Sequence, residues 1–85
     1  MNNLQLDQRL VDTVSRVLNL DASSITPDTS PRNTAAWDSV GHINLVLELE
    51  DVFGVRFQTD EIPLLDSVAK LQAAIGRNGP TRVDA

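Results

Sequence analysis

Trp37-Asp38-Ser39-Val40-Gly41-His42-Ile43-Asn44-Leu45-Val46-Leu47-Glu48-Leu49-Glu50-Asp51-Val52-Phe53-Gly54 reads as a helix with its own start and stop. Asp38 or Ser39 caps the start, because a short side-chain oxygen accepts a hydrogen bond from an unpaired amide of the first turn. Gly54 stops it, since glycine takes the left-handed conformation common just past a helix end. At about 3.6 residues per turn, Leu45, Leu49, Val52 and Phe53, with Val46 at the edge, fall on one side as a core stripe. Val40, Ile43 and Leu47 fall roughly opposite, among Asn44, Glu50 and Asp51. A small domain buries one stripe and leaves the other partly exposed. An exposed apolar strip rimmed by acids, starting beside a helix-capping serine, marks a docking surface.

Upstream, Leu6, Leu10, Val14, Val17 and Leu18 recur at helical spacing, with Val11 on the flank and polar residues between them. This predicts an amphipathic first helix that frays near Leu20. From Asp21 to Trp37 the period disappears. Pro27, Pro31 and a run of Ser, Thr, Asn and Asp mark a long loop, with Ile25 and Trp37 as its anchors into the core. Trp37, the only tryptophan, packs the loop end onto the helices or flanks a partner or a group carried by the serine, and the two roles are compatible because it lies two residues before Ser39.

Downstream, Val55-Arg56-Phe57 is a short extended link with Phe57 turned inward. Gln58 to Leu65 predicts a short third helix, capped by Thr59 or Asp60, with Ile62 and Leu65 reaching the core. Pro63 limits it to a turn or two of partly 3₁₀ character, because proline lacks an amide donor and crowds the preceding turn. Asp66-Ser67-Val68 repeats the earlier tripeptide and opens a fourth helix through Leu71, Ala74 and Ile75 to Gly76. The expected core is Leu6, Leu10, Val14, Leu18, Ile25, Leu45, Leu49, Phe53, Phe57, Ile62, Val68, Leu71 and Ile75.

The 85 residues make one domain, with a core over about 6–76 and a flexible tail at 77–85. Met1 and the form of the tail suggest a discrete protein. Without cysteine there is no disulfide, thiolate metal site or cysteine nucleophile, and the single histidine argues against a metal cluster. No apolar run is long enough to span a bilayer and no secretory signal pattern opens the chain, so the expected compartment is the cytoplasm. The formal net charge is −5. Between Asp38 and Asp66 lie Asp38, Glu48, Glu50, Asp51, Asp60, Glu61 and Asp66 against a single base, Arg56. Such a surface repels phosphate backbones, which excludes nucleic acid, and steers proteins that present basic patches.

Asp38-Ser39-Val40, the acidic-apolar helix after it and the ending Asp51-Val52-Phe53-Gly54-Val55 resemble the acyl carrier protein family. The likeness runs roughly from Leu6 to Ile75. It implies an all-α, four-helix bundle with a short third helix and a long first loop. It implies 4'-phosphopantetheine, esterified from coenzyme A onto Ser39, with Asp38 as its motif neighbour. It also implies that the arm's thiol holds acyl intermediates as thioesters for fatty-acid, polyketide or related specialised biosynthesis. The partners implied are a phosphopantetheinyl transferase and acyl-loading, condensing or transferring enzymes. They would meet a monomer through Val40, Ile43, Leu47, Glu50, Asp51, Asp60 and Glu61. The chemistry would lie with the cofactor and the partner enzymes, so the chain itself is expected not to be an enzyme.

Both Ser39 and Ser67 carry the tripeptide. Ser67 opens a helix whose only regular stripe faces the core, and capping accounts for it; Ser39 opens the helix with two apolar faces and follows the long loop. A primary hydroxyl on a helix start is reachable by another enzyme, and helix N-termini attract the phosphate it would carry.

The match departs from the family at two places. Gly41 and Asn44 stand where fatty-acid-synthesis carriers often have acids, and Ala35-Ala36-Trp37 replaces the usual Leu-Gly approach. Both suggest a discrete carrier with different partners. A peptidyl or aminoacyl carrier and an unmodified helical interaction module stay open as alternatives. A Ser39–His42 hydrolase dyad lacks an orienting group and a Gly-x-Ser-x-Gly elbow, so His42 is expected to be a half-exposed surface residue.

Overall fold

The computed structural model of the chain describes residues 6–78; among them are three α-helices, two single-turn 3₁₀ segments and no strand. Helix α1 spans Gln8–Leu18, α2 Ser39–Phe53 and α3 Val68–Arg77, with 3₁₀ turns at Ala22–Ser24 and Ile62–Leu64.

Each helix begins where a side chain can serve its orphan amides. Asp7 caps α1 by accepting from the Arg9 amide at 2.8 Å, which leaves Leu6 outside the helix. Asp38, not Ser39, caps α2, its Oδ1 accepting from the Gly41 amide at 2.8 Å. Ser67 caps α3, its hydroxyl accepting from the Lys70 amide at 3.1 Å. Two helices end on left-handed residues. Asn19 at φ 56° closes α1, and Gly54 at φ 65° closes α2 with its amide on the Glu50 carbonyl.

Three α-helices stand where four were expected. The segment expected to form a short third helix closes only one 3₁₀ turn. Pro63 sits inside that turn and has no amide with which to continue it. Glu61 occupies the cap position without a side-chain bond to the turn, so neither Thr59 nor Asp60 caps it. At the other end, α3 runs through Gly76 to Arg77 and stops at Asn78. Arg77 pairs with Glu61 at 2.8 Å and Asn78 donates to the same carboxylate at 3.1 Å, so the ordered bundle extends past the expected boundary at Gly76. The remainder of the expected tail, 79–85, lies outside the described residues.

The core draws Leu10, Val14 and Leu18 from α1, Leu45, Val46 and Leu49 from α2, and Val68, Leu71 and Ala74 from α3. The connections add Ile25, Trp37, Val55, Phe57 and Leu65. Four expected core residues, Leu6, Phe53, Ile62 and Ile75, pack against this cluster half-buried rather than inside it. The Phe53 ring is covered instead by the Arg9 guanidinium, 4.4 Å from its centroid.

The long loop is held by a chain of turns. The Thr26 amide donates to Thr29 Oγ1, the Ser30 amide to Asn33 Oδ1, and the Trp37 amide to the Thr34 carbonyl. The carbonyls of Thr29 and Pro27 accept from the Val68 and Ala69 amides at 3.0 and 3.1 Å. Loop backbone thus satisfies first-turn amides of α3, which ties the loop's course to that helix.

Candidate functional site

Ser39 is the first residue of α2, and its side chain is exposed. Among the described residues no hydrogen bond engages its hydroxyl. Asp38 takes the Gly41 amide and the Asp38 carbonyl takes that of His42. The amides of Ser39 and Val40 are left at the open end of the helix, an arrangement that favours a bound anion. Ser67 is different: it is half-buried and its hydroxyl is spent as a cap.

Gly41 explains the approach to this serine. A Cβ there would lie 2.8 Å from the Ala36 carbonyl oxygen, 3.1 Å from Leu18 Cδ2 and 3.2 Å from Asp38 Oδ1. The loop end therefore presses on α2 at the one residue without a side chain, and no acid fits at that position. Gly41 and the Ala35-Ala36-Trp37 approach are two sides of one packing arrangement.

Trp37 is 2% exposed and packs into the core, as its anchoring role requires. It also lines the cleft beside Ser39. His42 is half-exposed as expected, and it is also a brace between segments. The Trp37 indole N–H donates to His42 Nδ1 at 2.9 Å, and the two rings lie 6.0 Å apart and inclined by 22°. Because Nδ1 accepts, the neutral ring carries its proton on Nε2, which donates to the Ile62 carbonyl at 2.7 Å. With both nitrogens engaged, neither is available to deprotonate Ser39.

A cleft of about 660 Å³ opens beside Ser39, between the start of α2 and the 3₁₀ turn. Its walls include Trp37, His42, Ile43, Ile62 and Pro63, with Asp38 and Asp66 at polar positions. Asp66 was not singled out by sequence reasoning. Its spacing of four from Lys70 was the available signal; the pair meets at 2.8 Å and holds the Asp66 carboxyl below its usual range.

The second apolar face of α2 is exposed as expected: Val40 is 68%, Ile43 50% and Leu47 58% accessible. Leu64 on the 3₁₀ turn joins the exposed apolar residues at 65% and was not among the expected docking residues. The expected acidic rim divides in two. Glu50 accepts from the Phe57 amide at 2.9 Å, and Glu61 accepts from the Gln58 amide, Arg77 and Asn78. These two hold the chain's own link and C-terminal helix. Asp51 and Asp60 are exposed and remain on the surface. Asp51 lies twelve residues beyond Ser39, about 18 Å along the helix axis.

A family model described as "Phosphopantetheine attachment site" matches residues 8–75. The acyl carrier protein of Lactobacillus johnsonii is 29% identical over 70 residues, covering 82% of this chain and 88% of that protein. The acyl carrier protein of Guillardia theta is 25% identical over 75 residues, covering 88% and 89%. The solution structure of the holo acyl carrier protein from Geobacter metallireducens superposes with a TM-score of 0.74 at 28% identity, covering 84% of this chain and 82% of that one.

Proposed function

The chain belongs to the acyl carrier protein family, defined by its phosphopantetheine attachment site, and on that premise we propose that Ser39 bears the arm. The protein is a carrier that uses phosphopantetheine and is not itself a catalyst. When bound, the group supplies a terminal thiol on a long flexible tether, to which an acyl group attaches as a thioester.

One observation carries the choice of residue. Of the two serines in Asp-Ser-Val, only Ser39 offers an exposed hydroxyl free of internal bonds. The remaining contributions come from the protein around it. Asp38 closes the α2 cap and holds Ser39 at the helix tip, where the Ser39 and Val40 amides favour a phosphate. The cleft wall of Trp37, Ile43, Ile62 and Pro63 offers an apolar surface beside it.

The family interacts with phosphopantetheinyl transferases and acyl-processing enzymes. For this chain the docking face is the α2 strip of Val40, Ile43 and Leu47, with Asp51 and Asp60 as its free acids. Gly41 and Asn44 in place of acids favour partners outside housekeeping fatty-acid synthesis. Among the described residues no helix is long and apolar enough to cross a membrane, and a cytoplasmic location accords with this reading.

Intact mass spectrometry tests the assignment. The protein is incubated with coenzyme A, magnesium and a broad-specificity transferase, beside Ser39→Ala and Ser67→Ala. A gain of one phosphopantetheine in the parent and in Ser67→Ala, absent from Ser39→Ala, is the expected result. A gain that survives Ser39→Ala moves the arm elsewhere. No gain in the parent, with an active transferase control, favours an unmodified interaction module.

A further inference from the structure

The single histidine connects three segments that meet at the cleft beside Ser39. It stands on α2, takes a hydrogen bond from Trp37 at the end of the long loop, and gives one to Ile62 on the 3₁₀ turn. All three residues line the same cleft as Ser39. Neither Trp37 nor Ile62 can exchange its role. An indole N–H only donates and a backbone carbonyl only accepts, so the pair accommodates one protonation state of the ring. A charged imidazolium would present N–H groups on both sides and lose the bond from Trp37.

We propose that His42 is a positioning residue for Ser39, holding the cleft walls in register while its ring is neutral and releasing the Trp37 side when the ring becomes charged. The proposal rests on Ser39 as the attachment residue. The charged groups around the ring come from several elements. Asp38 and Asp66 line the cleft with His42. Asp66 is partly neutralised by Lys70 at 2.8 Å, and Arg32 on the loop also acts on it. Just before the 3₁₀ segment Asp60 is exposed, whereas Glu61 is turned to Arg77. On α2 itself Glu48 is paired with Arg16 of α1.

Glutamine supplies the decisive variant. Its side-chain oxygen accepts and its NH₂ donates, so His42→Gln can keep both bonds, but it does not titrate. The chain has one tryptophan and one histidine, so the indole N–H and the imidazole each give a single set of NMR signals. Neutral parent protein is expected to show the proton on Nε2. On acidification the indole N–H resonance should move with the same midpoint as the ring, together with the amides of Ser39 and Leu64. In His42→Gln that step should be absent.

Transferase kinetics supply the functional arm. The KM of the parent divided by that of His42→Gln should rise severalfold as the ring charges, with kcat little changed. The transferase's own pH dependence cancels in the ratio. A proton on Nδ1 at neutral pH, or an indole signal that stays still while the ring titrates, overturns the proposal from the parent alone. An equal indole step in His42→Gln also overturns it. Failure to load Ser39 at all overturns the attachment reading, whereas loading with a ratio flat in pH overturns the role of His42 only.

Discussion

The Trp37 indole N–H donates to His42 Nδ1 at 2.9 Å across the junction between the long loop and α2. The residue that seals the core and the residue that leans on the 3₁₀ turn are thus one hydrogen-bonded unit. Trp37→Phe keeps most of the apolar burial but removes the donor and leaves Nδ1 without it. Its expected cost is about 1–3 kcal/mol. Trp37→Ala also empties the core and should cost about 3–5 kcal/mol. Urea unfolding monitored by circular dichroism measures both, since the fluorophore is lost. A Phe variant as stable as the parent would show that the bond contributes nothing to the fold.

The glycines should respond in opposite directions to the same substitution. Alanine normally favours a helix over glycine by about 1 kcal/mol. At Gly76 a Cβ meets nothing within 4 Å, so Gly76→Ala should stabilise by a few tenths up to about 1 kcal/mol, the lower end applying near a helix terminus. At Gly41 the Cβ would press on the Ala36 backbone carbonyl at 2.8 Å, and backbone cannot turn aside as a side-chain tip can. Gly41→Ala should therefore destabilise, by about 1–3 kcal/mol, and displace the loop beside Ser39. Thermal unfolding of the two variants gives the signs directly.

Much of the fold was legible in the sequence because its determinants are local. The start of α2 at Asp38 or Ser39, the cap at Ser67, the stop at Gly54 and the burial of Leu10, Val14, Leu45 and Leu49 follow from side-chain chemistry and helical period. Ile25 and Trp37, the only large apolar residues of the loop, were legible as anchors for the same reason. The candidate serine was legible through its motif and through the second apolar face of α2.

What escaped depends on contacts between distant segments. Val55 is buried in a connection with no period to read, and the 58–65 segment closes one 3₁₀ turn rather than a helix. His42 gained its role from Ile62, twenty residues away, and Glu61 from Arg77 and Asn78 on α3. Counting acids along the chain could not show that Glu50 and Glu61 are occupied internally. Only the fold distinguishes them from Asp51 and Asp60.

That division gives a prediction about docking. Asp51→Asn and Asp60→Asn should leave stability within about 0.5 kcal/mol of the parent, as exposed substitutions do. They should nevertheless slow association with a basic transferase and flatten its salt dependence, because long-range steering is the role proposed for them. Ile43→Asn and Leu47→Asn should weaken the complex chiefly through faster dissociation, by removing apolar contact from an exposed strip. Stopped-flow association across a salt series separates the two classes. Salt-insensitive association in the parent would count against a steering role for the acids.

Glu61 should instead reveal itself through pH. The Gln58 amide, and then the Arg77 side chain, favour its ionised form and hold its carboxyl below the ordinary glutamate value of 4.5. A carboxylate whose pKa falls on folding binds fewer protons in the native state than in the unfolded one across the range between the two values. Its contribution to stability is therefore complete above the ordinary glutamate range and declines as pH falls through that range toward the folded value. Asp66, held by Lys70, and Asp21, held by the Ser23 amide, add slope of the same sign. Glu61→Gln should thus be less stable than the parent at neutral pH, and the difference should shrink toward zero in acid. The comparison belongs in the His42→Gln background, where no imidazole titrates and the remaining slope comes from carboxylates. Urea midpoints at a series of pH values provide it. A Glu61→Gln penalty that stays constant into acid would mean that the carboxylate charge is not what the side chain supplies.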